Sequence, residues 1–236
     1  MSIMAYYVIA GLVFVFSWGV KQKLQSTYKR WSQVRNATDR PGGEIARIIL
    51  DANRLQSVPV GAVPGKLTDH YDPRSKQLSL ARDNFVDPSV AAMAIAAHEC
   101  GHALQDADDY RPMELRTSLV PVANAGARFG LPVAIVGSIM GSAMMVQIGI
   151  LGYVGSILLT FLTLPVEFNA SKRALAQLEG LDLVSADGRE GARQVLRAAA
   201  MTYVAGVASS AGYLVYLVFM FGGSILGKSK SAPPKL

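Results

Sequence analysis

The chain has 236 residues, 51% of them hydrophobic and only 17% charged, with a formal net charge of +6. Soluble domains run nearer to a quarter charged. The shortfall is also concentrated, because residues 129–166 and 198–227 carry no Asp, Glu, Lys or Arg at all. That pattern argues against an ordinary soluble enzyme and a disordered chain, and a single cysteine, Cys100, rules out a disulfide scaffold.

Residues 3–20 form an apolar run just long enough to cross a bilayer as a helix. Tyr6, Tyr7 and Trp18 lie near its ends, where amphipathic rings prefer the interface, and Lys21, Lys23, Lys29 and Arg30 follow. A cleaved signal peptide has its charge before the apolar run. Residues 1–20 therefore read as an uncleaved anchor with its N-terminus outside. Residues 21–128 form a polar domain. Pro41-Gly42-Gly43 opens a helix with apolar residues at Ile45, Ile48, Ile49 and Leu55. Residues 57–65 are extended by their prolines and glycines. Asp72-Pro73-Arg74-Ser75 signals the turn of a short β-hairpin. Asp87-Pro88-Ser89 starts another helix, with Pro88 suited to its first turn.

Residues 129–166 are too long for one span and suit a transmembrane hairpin, with its turn expected in residues 141–147. Recurrent glycines (Gly137, Gly141, Gly149, Gly152, Gly155) allow close helix approach in lipid. Residues 167–200 return to the side of residues 21–128. Residues 201–226 form a last, weaker span, and 227–236 a polar, disordered tail. Lys21, Lys23, Arg116, Arg128, Lys172 and Arg173 flank the spans on one side, which the positive-inside rule assigns to the cytoplasm. Lys228, Lys230 and Lys235 fall on the other side and depart from that rule. The expected fold is thus a mostly α integral membrane protein with four transmembrane helices and a small cytoplasmic α+β part. The expected location is a membrane, with the α+β part on its cytoplasmic side. No nucleic-acid motif accompanies the positive charge, so no nucleic-acid partner is expected.

The helix after Ser89 contains His98-Glu99-Cys100-Gly101-His102, an HExxH motif. Residues four apart share one helix face, so both imidazoles reach a single ion, and Glu99 stands beside them to handle a water proton. The chain has three His and six Glu, so the chance expectation for such a match is on the order of 0.001. Catalytic zinc normally takes a third protein ligand. His70, Glu114, Glu167, Glu179 and Glu190 are available on the same side. Glu167 stands out, since an unpaired carboxylate between Val166 and Phe168 at the membrane rim is costly. The alternative is a carboxylate that only favours the start of the helix carrying Lys172 and Arg173.

The runs GKLTDHYDPRSKQLSL, AIAAHECGHALQ and LPVEFNASKRAL, in this order, resemble the YugP-like family of neutral zinc metallopeptidases, which are bacterial membrane proteins. HExxH with a later glutamate on a second helix is also similar to the wider gluzincin group. The resemblance implies a zincin-like domain with His98, His102 and Glu167 as Zn2+ ligands and Glu99 as catalytic base. In that group an Asp four residues after the distal Glu steadies a ligand histidine. Here the position is Ser171, with Ser171 or Asn169 as the available substitutes.

The expected activity is a membrane-bound zinc endopeptidase acting on unfolded or membrane-adjacent protein segments. His70, Tyr71 and Arg173 are the candidate donors to the developing oxyanion. The strand around residues 76–80 is expected to offer an edge to an extended peptide. Two other classes compete: a non-catalytic membrane scaffold with a vestigial metal site, and a zinc hydrolase of a lipid or other non-protein amide. Membrane lipid is an expected partner in each case, and nothing in the sequence sets an oligomeric state.

Overall fold

The computed structural model describes residues 3–225. The first apolar run and its basic continuation form one helix, α1 (Ile3–Trp31). Helix α2 (Gly42–Ala52) buries Ile45 and Ile49 as expected and Leu50 besides, while Ile48 is only partly buried and Leu55 lies beyond the helix end. Three strands follow, β1 (Val60–Val63), β2 (His70–Asp72) and β3 (Gln77–Ala81). The β2–β3 turn falls where expected. The Asp72 carboxylate accepts the Arg74 N–H and the Ser75 hydroxyl, each at 2.9 Å.

Strand order corrects one expectation. The order is β1-β3-β2, with β1 parallel to β3 (Val60 opposite Leu78) and β2 antiparallel to it (His70 opposite Ser79). The strand expected to offer an edge to substrate is therefore the central one, and the free edges belong to β1 and β2. Leu78, Ser79, Leu80 and Ala81 are all buried, the pattern of a strand covered on both faces.

A short helix, α3 (Arg82–Val86), leads to α4 (Val90–Ala107), which carries the HExxH motif. Ser89 caps α4 by accepting the Ala92 N–H at 3.2 Å. Pro88 thus lies before the cap, not in the first turn as expected. Apart from Ile95, His98 and the last two residues, all of α4 is buried, because its surface is apolar almost all round. Its alanines let α2 and the sheet pack closely. Cys100 faces inward, with its thiol 3.5 Å from the Ala46 carbonyl oxygen.

Three long helices complete the chain: α5 (Arg111–Ile139), α6 (Ala143–Gly180) and α7 (Ala186–Ile225). Helix α6 continues without interruption through residues 166–167, where the sequence suggests a segment boundary. The chain divides into two units. One comprises Ser17–Ser118 and Leu162–Ala205. Its core joins α4 to Trp31, the end of α6 (Val166, Ala174, Leu178) and the start of α7 (Ala192, Val195, Leu196). At Gly101 a Cβ would overlap the Ala170 carbonyl oxygen, so only glycine lets α4 and α6 come this close.

The other unit comprises Leu119–Phe161 with the adjoining ends of α1 and α7. Its hairpin turns at residues 140–142, earlier and more tightly than expected. Gly141 takes φ +69°, and the Ser142 N–H bonds to the Gly137 carbonyl at 2.8 Å. The Ser142 hydroxyl then accepts the Met145 N–H and restarts the helix at Ala143. Gly130 and Gly149 meet backbone to backbone, as the small-residue pattern implies. Among the described residues, α5 and α6 are the two helices long and apolar enough to cross a membrane. Only 17% and 22% of their apolar windows are buried, unlike the core helix of a soluble protein. The tail expected at 227–236, including Lys228, Lys230 and Lys235, lies outside the described residues, as does the Tyr6 side chain.

Candidate metal centre

One helical turn separates His98 from His102 on α4, and their rings meet edge to face with centroids 4.8 Å apart. Helix α6 brings Glu167 against them. Its Oε2 lies 3.2 Å from His98 Nε2 and 3.7 Å from His102 Nε2. One donor atom from each of the three residues falls within 4.8 Å of the others. Two imidazoles and a carboxylate are a donor set suited to zinc.

The other imidazole nitrogens are occupied. His102 Nδ1 donates to Gln105 Oε1 at 2.9 Å. Gln105 is fully buried, and its Nε2 donates to the Val166 carbonyl (2.8 Å) and Asn169 Oδ1 (3.0 Å), which fixes which end faces the histidine. Ser171 Oγ stands 3.2 Å from His98 Nδ1. Both rings are thereby held with Nε2 facing Glu167, the arrangement that orients metal-ligating histidines. Ser171 fills the position where the resemblance implies an Asp. No pattern in the sequence marks Gln105 for its role.

Glu167 is only 1% exposed. Arg116 Nη1 approaches its Oε1 at 3.2 Å, but the alignment makes an ion pair without a hydrogen bond, and Oε1 has no hydrogen-bond partner. A buried carboxylate with one oxygen lacking a hydrogen bond is costly, and a cation between it and the imidazoles offsets that cost. Burial alone lowers the pKa of His102. The hydrogen bond to Glu167 and the charges of Glu99 and Glu167 outweigh that effect and raise it above the usual histidine range. The site thus attracts a cation, whether proton or metal. Glu99 is 7% exposed and lines a cavity beside His98, and among the described residues no hydrogen-bond donor holds its carboxylate.

The remaining candidates are engaged elsewhere. His70 is exposed, with Nδ1 2.7 Å from the Thr68 carbonyl oxygen. Tyr71 donates its hydroxyl to Asp106 at 2.7 Å, and burial together with Asp106 pushes its pKa up. Arg173 pairs with Asp108 and bonds Asn169 at 2.9 Å. Among the described residues, none of the three makes a hydrogen bond or ion pair with the His–His–Glu cluster. Glu179 and Glu190 pair with Arg189 and Arg193 respectively. Sequence reading misses Tyr203 of α7, which lines the cavity with His98 and Glu99 and whose phenol interacts with Glu167. It also misses the link from Arg116 to Glu167.

A histidine pair on one helix, joined by a glutamate from a later helix, is a group that could hold a metal ion such as zinc. The chain belongs to the family whose model is described as "Putative neutral zinc metallopeptidase", which matches residues 6–222. It is 37% identical over 199 residues to the "Putative membrane protease YugP" of Bacillus subtilis (strain 168), covering 84% of this chain and 88% of that protein. No solved structure matches the chain.

Proposed function

We propose that this protein is a membrane-bound zinc endopeptidase with His98, His102 and Glu167 as ligands and Glu99 as general base. The observation that carries this reading is the convergence of both Nε2 atoms on Glu167 Oε2, with Glu99 unengaged beside them. When bound, zinc supplies Lewis acidity that acidifies water and polarises a carbonyl. Gln105 and Ser171 keep the imidazoles oriented for that ion. Glu99 takes the proton of the attacking water and passes it to the leaving amine. The Tyr203 hydroxyl, on the same cavity wall, is the donor best situated to meet the developing oxyanion. An extended peptide adds to the free edge of β2, and its backbone hydrogen bonds give affinity with little sequence preference.

The finer topology also belongs to this reading. Helices α1 and α7 join α5 and α6 as spans, which makes four, and the polar domain faces the cytoplasm of a bacterial cell. The apolar run of residues 3–20 and the flanking lysines and arginines support it. The decisive experiment compares zinc content and peptide hydrolysis of the detergent-solubilised full chain. Glu99→Gln keeps about one zinc and loses hydrolysis by a factor of about 100 or more, whereas Glu167→Ala loses the zinc. Unchanged hydrolysis in Glu99→Gln refutes the mechanism.

A further inference from the structure

Beside the metal-ligand cluster lies a cavity of about 250 Å3, and its lining has a consistent chemistry. On α4, Ile95 shares a face with His98 and Glu99, and it is half-buried in a stretch that is otherwise closed. Facing it are Val195, Ala199 and Ala200 of α7 and Leu24 of α1. Away from His98 and Glu99, the polar groups on the wall have hydrogen-bond partners. Tyr28 donates to Asn84 at 2.7 Å, Asn84 donates to Asp69 at 3.0 Å, and the second Asp69 oxygen accepts the Ala81 N–H at 2.8 Å. The carboxylates of the lining are Asp69, held by neutral donors, and Glu99; the residues that α1 and α7 contribute carry no charge. An apolar cavity of about 150 Å3 suffices to hold a benzene ring, so this space takes a whole leucine, methionine or phenylalanine side chain.

His98 and Glu99 line this cavity, and that sets what it can select. We propose that it is the side-chain pocket of the enzyme. It seats one large aliphatic or aromatic residue next to the scissile bond, which makes apolar segments of extended polypeptide the substrate class. This inference rests on the peptidase reading above. The segment just before β2 contributes Leu67 and Asp69 to the same wall. A peptide strand added to β2 lies next to a segment that lines the cavity, and its alternate side chains point to one face. Selectivity comes from α1 and α7, while the metal ligands and the general base come from α4 and α6. A change in the pocket therefore alters preference without removing a metal ligand.

The test uses the zinc-loaded full chain in detergent with a pool of unstructured synthetic peptides randomised around a central position. Cleavage sites are read by mass spectrometry, and kcat/KM is measured on matched Leu and Ala peptides. Wild type is expected to favour Leu, Met or Phe at one position flanking the cut. Ala199→Phe, which fills the cavity from α7, lowers the Leu-over-Ala ratio by about tenfold or more. Leu24→Ala enlarges the cavity from α1 and shifts preference towards Phe and Trp, so it decides the matter if Ala199→Phe fails to retain zinc. Leu-over-Ala ratios and profiles unchanged within twofold in zinc-retaining variants overturn the pocket alone. A zinc-loaded wild type that cleaves nothing overturns the peptidase reading and the pocket with it.

Discussion

At the residue scale, the two histidines depend on partners that are not themselves ligands. Gln105 spans from His102 to the α6 backbone, and Ser171 does a simpler version of the same work for His98. Replacing Gln105 by Leu removes the acceptor at Nδ1 and frees the ring, so zinc affinity should fall about 10–100-fold in a chelator-competition titration. Ser171→Ala should fall at the lower end of that range, since a hydroxyl steadies the ring less than a carboxylate. Cys100 gives a separate prediction. Burial, then the nearby Glu99 charge, pushes its thiol pKa up, so the native protein should resist iodoacetamide at pH 8 and react once unfolded. The linkage sign follows. The folded chain holds this proton more tightly, so the contribution to stability is constant below the ordinary thiol range. It falls as pH rises past that range, where only the unfolded thiol ionises.

At the element scale, the approach of α4 to α6 decides whether Glu167 reaches the histidines. Gly101→Ala forces a methyl group into the Ala170 carbonyl and must separate the helices. The expected result is a loss of about 1–3 kcal/mol in unfolding free energy and a reduced zinc content. Elements that depend on neighbours along the chain are legible in the sequence itself. HExxH on a helix follows from i,i+4 spacing, and the β2–β3 turn follows from Asp72 bonding its own backbone. Glu167 is legible for a different reason, the cost of leaving a carboxylate in apolar company. The central position of β3 is not, because β1 pairs with it in parallel across an intervening strand, and no local signal reports such a pairing. Arg116 and Tyr203 are hidden in the same way. One reads as a flanking charge and the other as part of an apolar run, and only long-range packing gives them a carboxylate to face.

At the scale of the whole molecule, topology gives a test independent of chemistry. Because Cys100 is buried and is the only cysteine, a single exposed cysteine can report sidedness. Lys66→Cys in intact bacteria should stay unlabelled by a membrane-impermeant maleimide and become labelled after the membrane is opened. Labelling in intact cells would reverse the assigned orientation. The ligand set has one more consequence. His98 and Glu167 stand 69 residues apart, and the whole α5–α6 turn lies between them. During synthesis, a chain that has emerged only as far as its two imidazoles holds an incomplete grip on the ion, because tight coordination requires the folded arrangement of all three groups. If the proposed function holds, cutting ability is therefore acquired last, after the intervening hairpin has been made and the glutamate beyond it has come back alongside the histidines. A truncated polypeptide lacking that return should then show no hydrolysis.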